Sequence, residues 1–249
     1  MIPGWPLVSS PARSNLATRV LTAAVVAPLL LVLLFLGPVW GWTALIVVAT
    51  GLSGLEFFRM THPNDALAQV AGIAATLGVS FVLLAFGDEP RALLALLAAL
   101  PIFSILLALL RLGDISTAAA RMAGTTFGPL WIGLLTLLTL LRREQGPSGP
   151  GYVLLAITFA WGADTGGYFA GRFLGRRKLY EAVSPKKTVA GLWGALGGAT
   201  IGALVAHFWY LPALALVDGV ALAVVSGLLG QLGDLGESLL KRSTGVKDS

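Results

Sequence analysis

Eight apolar stretches dominate the chain, at roughly 19–36, 39–55, 67–86, 91–110, 125–141, 151–170, 191–211 and 213–232. Each approaches the run of about 20 mainly apolar residues that a helix needs to cross a bilayer core. The breaks between them are short, and several carry turn chemistry, as in Gly37-Pro38, Thr61-His62-Pro63-Asn64-Asp65 and Gly87-Asp88-Glu89-Pro90. None is long enough to hold a soluble domain. With 56% hydrophobic and only 12% charged residues, too little polar surface remains to cover a water-soluble globule. The expectation is an all-α, polytopic integral membrane bundle of about eight transmembrane helices, forming one membrane domain over 1–249.

The bases then orient it. With eight spans, one side holds Arg13, Arg19, Arg59, Arg111, Arg121, Arg172, Arg176, Arg177, Lys178, Lys186, Lys187, Lys241, Arg242 and Lys247. The other side keeps Arg91, Arg142 and Arg143. That asymmetry predicts both ends on the cytoplasmic side. It also accounts for the net charge of +5 without nucleic acid, because the bases sit in short gaps between apolar runs rather than on a soluble patch. The first apolar run follows Arg13 and Arg19 but meets no small-x-small cleavage site, so it reads as a retained span rather than a signal peptide. The absence of cysteine excludes disulfides, thiolate metal sites and a cysteine nucleophile.

The two halves differ in kind. Residues 1–150 read as a scaffold of Leu/Ala/Val spans. Residues 151–249 concentrate glycine, acids and bases around a cytoplasmic loop at 171–190, and are where any polar chemistry of the chain would sit. In 161–179, WGADTGGYFAGRFLGRRKL, an apolar helix runs into this loop. Asp164 lies near its end, where an acid is costly unless paired, hydrated or bound to a cation; the plainer alternative is an interfacial acid paired with Arg172. Gly167, Gly171 and Gly175 repeat at four-residue spacing, a face that lets another helix approach closely. In 183–202, Ser184-Pro185 reads as a turn or helix start, followed by Lys186, Lys187 and Thr188. Hydroxyls, ammonium groups and free N–H groups at a helix start suit phosphate, although the Walker A spacing is absent. The alternative is a positive-inside loop feeding a helix packed through Gly194, Gly198 and Gly202.

The end of the chain, GQLGDLGESLLKRSTGVKDS, carries its densest mixed charge on a ridge of Gly227, Gly230, Gly233 and Gly236. In a helix, about 100° per residue brings Glu237, Ser238, Lys241 and Arg242 within about 80° of Asp234. Two carboxylates so placed suit Mg²⁺, which takes one or two carboxylates plus substrate phosphates. The neighbouring bases suit phosphate oxygens. The alternative is a simple i,i+4 pair of Glu237 with Lys241. Neither His62 nor His207 reads as a site residue, the latter being a better interfacial anchor.

These segments resemble a known family. WGADTGGYFAGRFLG, SPKKTVAG and the pattern S-x-L-K-R-x4-K-D (Ser238, Leu240, Lys241, Arg242, Lys247, Asp248) look like phosphatidate cytidylyltransferase, also called CDP-diglyceride synthase. The likeness extends more loosely through TRVLTAAVVAPLLL and FGPLWIGLLTLL. It implies a bacterial inner-membrane enzyme, its active site facing the cytoplasm, that joins CTP and phosphatidate into CDP-diacylglycerol and pyrophosphate with Mg²⁺. It implies that Asp234 is a metal ligand and that Ser184, Lys186, Lys187 and Thr188 line the phosphate and nucleotide site. Arg172 and Ser238 are counted with the substrate-binding residues, and Glu237 as a second metal carboxylate. Lys241, Arg242, Lys247 and Asp248 belong to the signature at the mouth, and Asp164 matches the family's aspartate in its segment. These five join Asp234 as the expected catalytic set. In the family, K-D is followed by P-G-H-G-G and D-R-x-D, with a further metal-binding aspartate. The chain stops at Ser249 before either, so a fragment, inactive as it stands, is expected.

A phosphomonoester nucleophile is already anionic at neutral pH, so no strong general base is required. The difficulty is to bring two polyanions together, which calls for cations. The partners expected are CTP, phosphatidate and the bilayer, with a homo-oligomer compatible with the pattern and no nucleic acid. The competing readings are a CTP-dependent lipid or polyprenol kinase and a polytopic transporter.

Overall fold

The computed structural model describes residues 14–245, with side chains described over 24–245. Each expected apolar stretch falls largely within helix. The order is α1 (Ser14–Phe35), α2 (Val39–Thr61), α3 (Ala66–Phe86), α4 (Pro90–Leu110), α5 (Ala118–Gly133), α6 (Leu137–Glu144), α7 (Gly149–Leu174), α8 (Val189–Val205) and α9 (Leu216–Ser243). A 3₁₀ turn, Leu134–Thr136, joins α5 to α6. Among the described residues, six helical rods are long and apolar enough to cross a membrane: Val39–Thr61, Ala66–Phe86, Pro90–Leu110, Ile115–Glu144, Val189–Tyr210 and Leu216–Ser243. The protein is a mostly helical integral membrane protein. The 26-residue α7 is not among the six, since its glycines, Asp164 and Arg172 dilute its hydropathy. Two compact units divide between Trp42 and Thr43.

The chain is not wholly α, which corrects the sequence expectation. Strands β1 (Lys178–Tyr180) and β2 (Ser184–Thr188) pair antiparallel between α7 and α8. Ser184-Pro185 therefore opens a strand rather than a turn or helix. The helix starts only at Val189, where Thr188 is extended and its Oγ1 accepts from the Gly191 N–H at 3.1 Å. A threonine cap satisfies one of the N–H groups that a helix start leaves unpaired. Pro185 sits in the strand without a ladder donor, which a two-stranded hairpin tolerates at an edge.

In 43–249 the helices pack through small residues and hydroxyls, as expected where burial against lipid supplies little drive. Ser104 Oγ donates to the Met122 carbonyl at 2.8 Å, joining α4 to α5. Thr136 Oγ1 donates to Ser80 Oγ at 2.8 Å, joining the 3₁₀ turn to α3. The second half has its own core of Leu155, Phe159, Ala163, Ala195, Ala199 and Ala203, with Leu211, Leu214 and Ala223. Its closest seam joins α7 and α8. A side chain at Gly162 or Gly166 would strike the Gly198 or Gly194 backbone, and the reverse holds for Gly198 and Gly194. The seam therefore involves Gly194 and Gly198 as expected, but Gly162 and Gly166 make the tightest approaches on α7.

The glycine ridge of α9 is only partly a seam. Gly227 meets Leu196 of α8, whereas Gly230, Gly233 and Gly236 have no neighbour within 4 Å of where a Cβ would stand. Beyond α8, a π-helical turn (Ala206–Tyr210) carries His207, whose Nδ1 donates to the Leu214 carbonyl at 2.8 Å. That bond gives His207 a local structural role.

Candidate functional site

Three elements converge on a cavity of about 350 Å³: the second half of α7, the β2–α8 junction and the middle of α9. Helical spacing explains the α7 contribution. Asp164, Gly167, Tyr168, Gly171 and Arg172 fall at i, i+3, i+4, i+7 and i+8, one stripe of the helix. Gly167 and Gly171 let α8 come close, so Thr188 and Gly191 join the same wall. Lys186 and Lys187 come from β2, and Gln231 and Asp234 lie one turn apart on α9.

The charges here are arranged rather than merely gathered. Lys187 Nζ lies 2.7 Å from Asp234 Oδ2. Asp164 lines the same cavity as both. Among the described residues Arg172 makes no ion pair with Asp164; its Nη1 donates to the Tyr168 hydroxyl at 3.1 Å. Two carboxylates and three cations thus face one cavity. Such a set can hold a hard divalent cation together with phosphate oxygens, because Mg²⁺ needs only one or two protein carboxylates when a substrate supplies the remaining oxygens. Among the described residues, no group of three histidines or carboxylates is placed to hold a metal ion without that help.

Other expected residues lie elsewhere. Glu237, expected beside Asp234 at a metal, faces a second cavity of about 370 Å³, where its Oε1 lies 2.7 Å from Lys241 Nζ. Three residues turn a helix by about 300°, so Glu237 is displaced by about 60° from Asp234, enough to put the two on different walls. The carboxylate that shares Asp234's cavity is Asp164. Arg242 Nε donates to the Val183 carbonyl and ties α9 to the hairpin. Ser184, half-buried, pairs with Tyr180 in the hairpin register. Ser238 is half-buried and lines none of the cavities described here. Lys247 and Asp248 lie outside the described residues.

Gln231 and Tyr168 also line the site, although the sequence motifs do not single them out. Spacing could have found both: Tyr168 is four residues from Asp164 and from Arg172, and Gln231 is three from Asp234.

A larger cavity, about 1010 Å³, lies against the 62–65 loop, the start of α5 and the end of α9. Its charged and histidine side chains are engaged in contacts of their own. Arg111 holds Asp65 at 3.1 Å, and Arg121 donates to the carbonyls of Arg111, Leu112 and Asp114. The ring nitrogens of His62 meet the Thr61 and Thr125 hydroxyls at 3.0 and 3.3 Å. Size therefore does not track charge; the smallest of the three cavities is lined by Asp164, Asp234, Arg172, Lys186 and Lys187.

The fold and site define a polytopic helical membrane protein whose second half gathers carboxylates and bases suited to a metal–phosphate ligand. The sequence matches the family described as "Cytidylyltransferase family" over residues 17–249, and the chain belongs to that family. It is similar to a protein named phosphatidate cytidylyltransferase from Synechocystis sp., 43% identical over 107 residues, covering 43% of this chain and 36% of that protein. Proteins of the same name from Brucella melitensis and Pseudomonas aeruginosa are similar over more of the chain. They are 34% and 32% identical, over 95% and 94% of this chain and 83% and 86% of their own lengths. The matches to the Synechocystis and Bacillus subtilis relatives span only 36% and 46% of those proteins.

Proposed function

We propose that the protein is a nucleotidyltransferase that converts CTP and phosphatidate into CDP-diacylglycerol and pyrophosphate. The observation that carries this reading is the single cavity shared by Asp164, Asp234, Arg172, Lys186 and Lys187. Family membership and the names of the relatives support it.

In this reaction a phosphatidate phosphomonoester oxygen attacks the α-phosphorus of CTP. The bond from that phosphorus to the bridging oxygen breaks, and pyrophosphate leaves with the electron pair. Because the attacking oxygen is already anionic, the protein's task is to lower the repulsion between two polyanions. Lys186 and Arg172 would bind triphosphate oxygens, Arg172 with a forked donor pattern that matches them. Lys187 would exchange its contact with Asp234 for a phosphate. Thr188 and the start of α8 would add a hydroxyl and a helix N-terminus to the same wall. Asp164 and Asp234 would hold Mg²⁺, which when bound supplies charge neutralisation on the α-phosphate and the leaving pyrophosphate.

The topology that suits this chemistry has eight spans with both ends cytoplasmic, in a bacterial inner membrane. CTP then arrives from the cytoplasm while the acyl chains of phosphatidate stay in the bilayer. The distribution of Lys and Arg between successive gaps supports this arrangement.

The test is formation of labelled CDP-diacylglycerol from CTP and phosphatidate in membranes carrying the full-length protein. Pyrophosphate as the co-product is the expected result. Release of CDP would indicate a kinase, and substrate movement without CTP consumption a transporter; either would overturn the reading.

A further inference from the structure

We infer that Tyr168 is a positioning residue that orients Arg172 toward the phosphates of the nucleotide while leaving its charge uncancelled. The inference rests on the nucleotide reading of this cavity and adds a residue to it.

The geometry is specific. Tyr168 and Arg172 both line the cavity and stand one turn apart on α7. Arg172 Nη1 donates to the Tyr168 hydroxyl at 3.1 Å, and the guanidinium carbon is 6.0 Å from the ring centroid. The guanidinium lies over the ring at the outer limit of cation–π contact. The hydrogen bond at 3.1 Å is the closer and more directional of the two contacts that hold it.

The chemistry of the anchor matters more than its existence. Nearby, Lys187 is held by the Asp234 carboxylate and Lys241 by Glu237, so each has an anion beside it. Arg172 is held by an uncharged hydroxyl. A phenol can accept one guanidinium N–H and restrict the side chain's rotamers without offsetting its charge. The other donors of the planar fork remain available to the cavity, and less rotamer freedom is lost when a phosphate binds. An acid at position 168 would hold Arg172 as well, since an i,i+4 Glu–Arg pair is favourable, but it would cancel the charge on which anion binding depends. Tyr168 is also 59% exposed, so its hydroxyl can be removed without opening a core.

The experiment measures equilibrium binding of labelled CTP with Mg²⁺ to the full-length protein in lipid nanodiscs, without phosphatidate, so that no turnover is needed. Tyr168→Phe should weaken CTP binding about three- to tenfold. Tyr168→Glu should weaken it more, to the level of Arg172→Gln. On an Arg172→Gln background, Tyr168→Phe should have no further effect. In turnover, Tyr168→Phe should raise KM for CTP and leave kcat and KM for phosphatidate within about twofold. Unchanged CTP affinity in Tyr168→Phe, or an equal loss with Arg172 already removed, would overturn the inference while leaving the nucleotide reading intact. A wild-type protein that binds no CTP would overturn both.

Discussion

Lys187 on β2 and Asp234 on α9 are 47 residues apart in sequence, yet their side chains meet at 2.7 Å across the small cavity. This contact joins the hairpin to the last helix, and it puts an ammonium group against one of the two carboxylates of the site. Its value lies in charge placement rather than stability. The two side chains are 21% and 48% exposed, and pairs this wet contribute on the order of 1 kcal/mol or less. Lys187→Met is therefore expected to shift the melting temperature by a few degrees at most, while lowering CTP-dependent turnover about tenfold or more. A thermal melt beside a turnover assay separates the two; a large melting shift with normal turnover would make the contact structural.

The partition of carboxylates between cavities gives a second prediction. Asp164 shares the cavity of Asp234, whereas Glu237 faces another and pairs with Lys241. Asp164→Asn should lower turnover about a hundredfold, the scale on which loss of a preorganised charge acts. Glu237→Gln should leave turnover within about threefold, the scale of a lost i,i+4 pair. Steady-state rates of the two variants, compared at equal membrane expression, check this; the opposite ranking would restore Glu237 to the metal site.

Close approach of α7 and α8 sets the width of the site, so glycine substitutions should differ by position. Gly198→Ala puts a methyl group against the Gly162 backbone, which cannot yield without moving a helix. The expected cost is about 1–3 kcal/mol, with loss of turnover. Gly230→Ala meets open space inside a helix and should be neutral or stabilising by up to about 1 kcal/mol. Thermal unfolding in detergent measures both. Equal effects would mean that the two helices do not make the close contact described.

His62 is expected to make stability pH-dependent. Burial, followed by the Arg121 charge, holds its pKa below the ordinary histidine value, and Asp65 opposes them more weakly. A histidine depressed in the folded state binds its proton more readily when unfolded. Its stabilising contribution is thus complete above about pH 6.5 and is lost as pH falls from there toward the lower folded value. Asp65 acts in a lower range. Its hydrogen bond to Arg111 lowers its pKa, so its contribution is lost as pH falls through that depressed value. Melting temperature should therefore drop as pH is lowered from about 8 to about 5.5, with a flatter profile in His62→Gln. A variant profile parallel to wild type would mean that His62 does not set the dependence.

Much of this was legible in the sequence, because hydropathy and spacing are local properties. The eight apolar stretches fall largely in helices, and Thr188 starts α8 as its position before a glycine-rich run suggested. The hairpin was not legible. Residues 178–188 hold three lysines and a proline, a poor strand composition, and pair as strands through the register of Lys178 with Thr188 and Tyr180 with Ser184. A helical wheel of α9 puts Glu237 and Asp234 on one face, but an offset of about 60° is enough to divide them when neighbouring helices form separate walls. The carboxylate beside Asp234 instead comes from α7, a tertiary relationship that no single helix encodes. Similarly, glycine recurs at every third residue along α9, a ridge open to close packing, yet of the four glycines only Gly227 faces α8 closely.

The proposed transfer of CMP to phosphatidate turns on Asp234 and its cavity. It is tested most directly by pyrophosphate release from the purified full-length protein in lipid nanodiscs, with CTP and phosphatidate supplied singly and together, for wild type and Asp234→Asn. Release is expected only when both substrates are present, with a loss of about a hundredfold or more in the variant at unchanged membrane insertion. Release from CTP without phosphatidate, or equal rates in Asp234→Asn and wild type, would contradict it.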